Sequence, residues 1–211
     1  CTPSAFYPLV EDVEAADLAA LQSLRCVFLG GEPIALERMQ AFLDSRWCNT
    51  AIANTYGPTE CTDVCTSYTV HDPRSHGSAS IPIGRPIANA LHYVLDRAQR
   101  PVPLGVPGEL CVGGIGVGHG YARDCAMTAA KFVPDPFSAT PGARMYRTGD
   151  VVRYRPDGNL EFLGRLDHQV KIRGHRIELG EIETTLREHD GVREVVIDAR
   201  GEFGDRRLVG Y

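Results

Sequence analysis

The segment Asn54-Thr-Tyr-Gly-Pro-Thr-Glu60 places three chemically useful groups at one turn. It follows a short run from Thr50 to Asn54 that predicts a buried strand, and its Gly-Pro pair predicts a turn. An aromatic ring, a hydroxyl and a carboxylate are therefore expected at the carboxyl end of a strand, which is where open α/β sheets bind ligands. Taken alone, the same segment also fits a capped turn with a structural tyrosine.

Three further motifs follow in order along the chain. They are Tyr146-Arg-Thr-Gly-Asp150, Gly164-Arg-Leu-Asp167 and the long string Gln169–Glu183. Together with Asn54–Glu60 they resemble the adenylate-forming, AMP-binding superfamily. The first and last motifs are similar in form to those of the amino-acid-activating adenylation domains of nonribosomal peptide synthetases, and the resemblance extends over nearly the whole chain.

The resemblance implies a role for each residue of the first motif. Tyr56 would stack on adenine, Asn54 would hydrogen-bond the base edge, and Gly57 would belong to the turn that contacts the nucleotide. Thr59 would contact the phosphates. Glu60 would hold Mg²⁺, a hard cation that proteins bind through one or two carboxylates together with substrate phosphate oxygens.

The later motifs imply the ribose side of the site. Asp150 would accept hydrogen bonds from both ribose hydroxyls, since an ionised carboxylate offers two oxygens to two donors. Arg165 would support the ribose and phosphates as a fixed cationic fork, whereas Lys171 is tied to function only weakly. Thr59, Glu60 and Arg165 are the residues expected to take part in the chemistry.

The implied reaction is attack of an amino-acid carboxylate on the α-phosphate of ATP, which gives aminoacyl-AMP and pyrophosphate. In the family, the acyl group then passes to a phosphopantetheine thiol on a peptidyl carrier domain of the same synthetase. Asp167 matches the family's hinge between the large and small domains, and the Gly174 loop matches the segment that moves into the site for thioester formation.

The same resemblance implies a substrate pocket, whose members are Cys1, Phe28, Gly30, Thr55, Asp63 and Val64. Asp63 follows the turn by three residues. An unpaired carboxylate buried in a pocket is costly unless the ligand supplies a donor or a cation. We therefore expect a substrate with a polar or basic side chain, although the amino acid itself is not identified.

Two alternatives remain open on the sequence. One is a standalone acyl- or aryl-CoA synthetase of the same superfamily, and the other is a nucleotide-binding module without catalysis. The family's Ser/Thr/Gly-rich phosphate loop would precede Cys1, and its catalytic lysine would follow Tyr211. Residues 1–211 by themselves are therefore expected to be inactive.

The elements that must position these residues follow from hydrophobic spacing. Helices are predicted from about residue 11 to Leu24 and from Ile34 to Leu43, with a buried strand between them at Arg25–Leu29. Later strands are predicted at Leu91–Leu95, Glu109–Val112, two within Met145–Leu163 around a Pro-Asp-Gly turn, Gln169–Arg173 and Val192–Ala199. A helix is predicted at Leu179–Arg187.

This order predicts an α/β fold made of three parts. Residues 1–80 would be the end of a large α/β sheet subdomain with the nucleotide and substrate pocket. Residues 81–166 would form a small distorted β-barrel lobe, and 167–211 the start of a mobile α+β C-terminal subdomain.

Composition excludes several other classes of function. The chain has 22 Lys and Arg against 27 Asp and Glu, a formal net charge of −5. Because its basic residues are scattered, it offers no field suited to a nucleic-acid backbone. The absence of a long apolar run or a leader-like start predicts a cytoplasmic protein without membrane contact. Its seven cysteines lack zinc-site spacing and are expected to be buried free thiols.

Overall fold

The computed structural model describes residues 1–45, 48, 50–70, 81–167, 169–172, 175–201 and 206–211. Its helices are α1 (Pro3–Phe6), α2 (Ala15–Leu18), α3 (Gln40–Asp44), α4 (Cys125–Lys131) and α5 (Leu179–Arg187). Its strands are β1 (Cys26–Gly30), β2 (Ala51–Tyr56), β3 (Thr66–Val70), β4 (Arg85–Pro86), β5 (Ala90–Leu95), β6 (Gly108–Gly114), β7 (Phe132–Pro134), β8 (Arg144–Tyr154), β9 (Leu160–Arg165), β10 (Gln169–Ile172), β11 (His175–Glu178), β12 (Ile197–Arg200) and β13 (Arg207–Gly210).

The chain divides into two compact units. Unit 1 comprises Cys1–Arg25, Leu29–Thr50 and Asp167–Tyr211, and unit 2 comprises Cys26–Phe28 and Ala51–Leu166. The predicted boundaries at residues 80 and 166 remain predictions. Among the described residues, no helix has the length and apolar character needed to cross a membrane. The expectation that the cysteines are buried is wrong for three of them, since Cys1, Cys26 and Cys125 are exposed.

Unit 2 contains an antiparallel sheet of five strands in the order β5-β6-β8-β7, with β9 also paired to β8. The long strand β8 pairs with β6 along one edge, and β7 and β9 share its other edge. Alternate β8 residues Tyr146, Thr148, Asp150 and Val152 are buried, so one face of the strand points into the core. The predicted strands in this region are confirmed, although most of their bounds differ by a residue or more.

A second sheet, with strand order β1-β2-β3-β4, carries the first motif. β2 pairs antiparallel with β3, and Asn54, Thr55 and Tyr56 lie opposite Tyr68, Ser67 and Thr66. The strand begins one residue later and ends two residues later than predicted, so it includes the start of the motif itself. β3 was not predicted, although its Thr-Ser-Tyr-Thr-Val sequence has the β-branched and aromatic residues typical of a strand.

The two predicted N-terminal helices are wrong in extent. In place of a helix from about residue 11 to Leu24, α2 is followed by a 3-10 turn at Ala19–Leu21. The second begins as a 3-10 turn at Leu36–Met39 and continues as α3. Such short helices are marginal on their own, and burial fixes them: Phe42 is fully buried, with its ring centroid 6.0 Å from that of Phe6.

The C-terminal part of unit 1 contains two hairpins and one amphipathic helix. β10 pairs with β11, β12 pairs with β13, and Leu179 on α5 packs with Val195 and Ile197. The predicted helix Leu179–Arg187 is confirmed. Of the predicted strand Val192–Ala199 only the end is extended in a ladder, as β12, because the preceding residues approach α5 before the pairing with β13 begins.

Candidate nucleotide site

The turn after β2 has no room for a side chain at its first residue. A Cβ atom at Gly57 would lie 1.9 Å from the backbone oxygen of Asp63, so only glycine permits this close approach. Pro58 follows, and a single 3-10 turn at Thr59–Cys61 then presents Thr59, which is exposed, and Glu60, which is half-buried. The sequence thus places both predicted phosphate-side residues on one tight, sterically defined turn.

Asn54 is buried, and its amide group holds a neighbouring segment. Its Nδ2 donates to the backbone oxygen of Pro82 at 2.8 Å and, at 3.4 Å, to that of Ile81. A buried amide that donates to backbone carbonyls fixes both its own orientation and the approach of residues 81–82 to β2.

Asp150 joins two other predicted residues. Its carboxylate accepts a hydrogen bond from the Tyr56 hydroxyl and from Arg165 Nη1, the latter at 2.5 Å. The Arg165 and Asp150 side chains are 15% and 8% exposed. Because a buried carboxylate is costly without partners, this pairing allows Asp150 to remain ionised at the edge of the core.

Tyr56 is almost completely buried, with an exposed fraction of 8%. Burial, followed by the charge of Asp150 and the hydrogen bond to it, raises the pKa of the Tyr56 phenol well above its usual range. The hydroxyl therefore stays protonated and acts as a donor. Its ring packs with Phe162 at a centroid distance of 6.5 Å.

The backbone that carries Asp150 is held by Glu109 on β6. The Glu109 carboxylate accepts from Arg147 Nη2 at 2.7 Å and from the backbone N–H of Gly149 at 3.2 Å. Gly149 has φ +75°, a left-handed conformation that glycine adopts without strain. Thr148 Oγ1 donates to Leu110 O and accepts from the Asp150 N–H, which completes the support.

The Glu60 carboxylate contacts two tyrosines that sequence reasoning did not assign to the site. Tyr121 donates its hydroxyl to Glu60 Oε1 at 2.7 Å, and its oxygen lies 3.1 Å from that of Tyr146. Burial, then the bond to Tyr121 and the charge of Glu60, raises the pKa of Tyr146. Tyr146 begins the motif that ends at Asp150, but nothing in the sequence spacing indicates that either tyrosine meets Glu60.

The residues predicted for the substrate pocket fall in both units. In unit 2, Thr55 is buried within β2, Val64 is half-buried and Phe28 is 59% exposed. Asp63 is exposed and left-handed at φ +69°, so the expectation of a buried, unpaired carboxylate is wrong for the structure described.

Unit 1 contains the remaining predicted residues. The Gly30 N–H donates to the backbone oxygen of Cys1 at 3.2 Å, and Asp167 Oδ1 accepts from the Gln169 N–H at 3.2 Å. Lys171 lies on β10 opposite Arg176. The predicted loop at Gly174 lies outside the described residues.

Within the described part of the chain, no group of three or more His, Cys, Asp or Glu side chains is placed to hold a metal ion. Glu60 is thus a single carboxylate rather than part of a cage. Such a residue suits Mg²⁺, which keeps waters and substrate phosphate oxygens among its ligands.

Comparison with known proteins shows the family to which the chain belongs. The family model described as "AMP-binding enzyme" matches residues 1–122. The chain therefore belongs to the AMP-binding enzyme family.

Two relatives show which kind of AMP-binding enzyme the chain resembles. The chain is 51% identical over 191 residues to phosphinothricin tripeptide synthetase PhsC of Streptomyces viridochromogenes, covering 90% of this chain and 17% of that protein. It is 48% identical over 211 residues to malpinin synthetase of Mortierella alpina, covering 100% of this chain and 3% of that protein. The predicted resemblance to nonribosomal peptide synthetase adenylation domains is confirmed.

A solved structure gives the same class. PA1221, described as an NRPS protein containing adenylation and PCP domains, superimposes with a TM-score of 0.84 at 32% identity, over 100% of this chain and 41% of that one. The predicted mixed α/β fold of an adenylation-domain portion is confirmed. The chain spans less than half the length of the relatives that it matches.

Proposed function

We propose that this chain contributes the nucleotide-binding part of an amino-acid-activating ligase. The reaction joins an amino-acid carboxylate to the α-phosphate of ATP and releases pyrophosphate. The observation that carries the proposal is the buried set Tyr56, Asp150 and Arg165, because it holds an ionised carboxylate in a fixed place beside a cation.

In this proposal Asp150 binds the ribose hydroxyls, and Arg165 both orients that carboxylate and stabilises nearby negative charge. Two carboxylate oxygens match two vicinal hydroxyls, and the guanidinium already bonded to Asp150 orders them before the nucleotide arrives. Asn54 and Tyr56 would form the adenine side. The Tyr56 ring could offer only a small exposed part to the base in the arrangement described.

Glu60 would hold Mg²⁺, and Thr59, exposed on the same turn, would contact the phosphates. When bound, the cation neutralises charge on phosphate oxygens. The chain's own contribution is to fix a single carboxylate on a turn that Gly57 keeps tight.

The second half-reaction would transfer the acyl group to a phosphopantetheine thiol on a peptidyl carrier domain. The similar protein PA1221 contains both adenylation and PCP domains, which supports this choice of partner. Asp167 would be the hinge, and the pocket residues Cys1, Phe28, Gly30, Thr55, Asp63 and Val64 would surround the substrate. Since Asp63 is exposed, it gives no physical reason to expect a polar or basic substrate side chain.

The test is amino-acid-dependent ATP–pyrophosphate exchange by the native protein that carries this chain, run across all proteinogenic amino acids. Exchange with one or a few amino acids is expected, and Glu60→Gln should abolish most of it. The matched control is Glu161→Gln, which removes a carboxylate from β9 that bonds Arg153. No exchange with any amino acid would contradict the proposal.

A second measurement distinguishes a carrier domain from coenzyme A as the acceptor of the acyl group. Purified carrier domain bearing phosphopantetheine and free coenzyme A are offered with a radiolabelled amino acid that supports exchange. Label on the carrier is expected. Transfer to coenzyme A alone would identify the standalone synthetase in its place.

A further inference from the structure

Two tyrosines from distant parts of unit 2 converge on the Glu60 side chain. Tyr121 gives its hydroxyl proton to Glu60 Oε1, at an oxygen–oxygen distance of 2.7 Å. The two phenol oxygens lie 3.1 Å apart, and either hydroxyl can donate to the other. The result is a short chain of hydroxyls that ends on the carboxylate.

The donor at the end of this chain is itself held firmly. The backbone N–H of Tyr121 donates to Thr128 Oγ1 at 2.8 Å. Its ring meets Phe132 edge-on at 5.4 Å, and Phe132 packs with Tyr146 at 5.0 Å. Tyr146 is fully buried, so the position of both hydroxyls is set by the sheet core and not by solvent-exposed rotamers.

The same region also fixes the backbone of the turn. The Gly118 N–H donates to the backbone oxygen of Glu60 at 2.8 Å, and Thr62 Oγ1 donates to that of Gly116, also at 2.8 Å. Residues 116–121 thus contact the 3-10 turn through main chain and side chain together. The direction of the Glu60 carboxylate is determined by a segment distant from it along the chain.

We propose that Tyr121, supported by Tyr146, is a positioning residue that orients Glu60 toward the Mg²⁺ of the nucleotide. The inference rests on the proposed function of Glu60. A glutamate left in solvent loses rotamer freedom when it binds a cation, whereas one already hydrogen-bonded has lost it on folding. Hydrogen bonds to metal-binding carboxylates also orient them, and their removal weakens metal binding.

The direct test measures ATP affinity by calorimetry in the native protein, once with excess MgCl₂ and once with EDTA. Mg²⁺ is expected to raise the affinity of the wild type for ATP. In Tyr121→Phe this increase should be about tenfold smaller, as expected for the loss of a hydrogen bond to a charged group. Its affinity for ATP in EDTA should equal that of the wild type. In the exchange assay, the Mg²⁺ concentration for half-maximal rate should rise to a similar degree, with an unchanged KM for the amino acid.

The matched control is Tyr93→Phe, which removes a hydroxyl that donates to another buried carboxylate, Asp135, at 3.1 Å. It should leave the Mg²⁺-dependent gain intact. Tyr146→Phe removes the second hydroxyl of the chain and should produce a smaller loss than Tyr121→Phe. It also supplies the comparison if Tyr121→Phe melts far below the wild type.

The outcomes separate this inference from the proposed function. If Glu60→Gln retains the Mg²⁺-dependent gain, the assignment of Glu60 as the magnesium carboxylate fails, and the inference fails with it. If Glu60→Gln loses the gain while Tyr121→Phe and Tyr146→Phe behave like Tyr93→Phe, the positioning role alone is overturned.

Discussion

Asp150 is the residue on which the candidate site depends most, because its carboxylate is the point at which three side chains meet. Tyr56 and Arg165 both donate to it, and only 8% of its side chain is exposed. Its charge therefore stabilises the fold and, in the proposed function, also binds ribose. These two contributions can be separated by a change that keeps shape and removes charge.

Asp150→Asn should raise the KM for ATP by about 10- to 100-fold, since hydrogen bonds to a charged acceptor contribute roughly 1.5–3 kcal/mol each. The KM for the amino acid should change little. The measurement is exchange kinetics together with a thermal melt. Asp157→Asn, in an exposed hairpin turn, is the control. An unchanged KM for ATP in a folded Asp150→Asn protein would contradict the ribose assignment.

Sequence alone selects Asp150, Arg165 and Glu60 as candidates because each stands in a motif that resembles those of the family, and the structure brings Arg165 to Asp150. It could not predict that Tyr121 reaches Glu60, since the two are separated by 61 residues and meet through sheet packing. It also placed Asp63 in a buried setting that the left-handed turn does not give. A motif shows which residues are present, whereas the burial of a side chain and its hydrogen-bond partners depend on the tertiary structure.

At the scale of elements, the turn after β2 shows how a missing side chain governs a functional segment. The space that a Cβ atom of Gly57 would need is occupied by the main chain of residues 63–65. Backbone atoms cannot rotate away as a side chain can. The turn would have to open, and Thr59 and Glu60 would move with it.

Gly57→Ala should therefore destabilise the protein by about 2 kcal/mol or more and reduce exchange strongly. Gly180→Ala is the control, because a Cβ there would meet nothing within 4 Å. Gly180 lies in α5, where alanine is the better helix former, so this change should be neutral or stabilising by about 0.5 kcal/mol. Equal melting temperatures for the two variants would show that the Gly57 turn is not sterically closed.

β5 contains a histidine that couples stability to pH. Both ring nitrogens of His92 are buried, with no hydrogen-bond partner among the described residues, and burial lowers its pKa from 6.5 to about 4. In the unfolded chain, His92 therefore becomes protonated below about pH 6.5, whereas in the folded protein it becomes protonated only near pH 4. This contribution to stability is complete above pH 6.5 and declines as the pH falls through that interval.

Between pH 6.5 and 4, the free energy of unfolding of His92→Phe should decrease by about 2–3 kcal/mol less than that of the wild type. The measurement is urea denaturation at a series of pH values. His119→Phe, which removes an exposed imidazole, is the matched control. Parallel pH curves for His92→Phe and the wild type would disprove the coupling.

The elements themselves were predicted unevenly, for physical reasons. Strands that consist of a short β-rich run, such as β5 and β6, were found, and so was α5 with its amphipathic face. The helices before residue 45 were overextended because apolar spacing does not distinguish α from 3-10 geometry in segments of four or five residues. In α3, the burial of Phe42 against Phe6 is a tertiary contact that apolar spacing alone does not show.

For the whole molecule, the division into two units separates the predicted roles. All seven residues assigned to nucleotide and magnesium lie in unit 2, namely Asn54, Tyr56, Gly57, Thr59, Glu60, Asp150 and Arg165. Cys1, Gly30, Asp167 and Lys171 belong to unit 1. Nucleotide binding should therefore act first on the stability of unit 2.

Hydrogen exchange of the native protein should show this distribution. On addition of AMP, amides of β2, β8 and β9 are expected to exchange more slowly, because a ligand that binds the folded state suppresses local opening around its site. Amides of α5, β12 and β13 should change less. GMP at the same concentration is the control for base recognition. Protection confined to α5, β12 and β13 would place the nucleotide elsewhere.

The strand β8 carries both Tyr146, which supports Glu60, and Asp150. These two residues are four positions apart, and the chain between them contains the left-handed Gly149 and a register shift in the pairing with β6. In the proposed function, the length of this segment sets the distance between the carboxylate assigned to magnesium and the one assigned to ribose. Over evolutionary time, such a segment should tolerate substitutions far better than insertions or deletions. One inserted or deleted residue between Tyr146 and Asp150 would turn an inward side chain to the opposite face of the sheet. Proteins that share this strand are therefore expected to keep the same number of residues between the two positions, even where their surface loops differ in length.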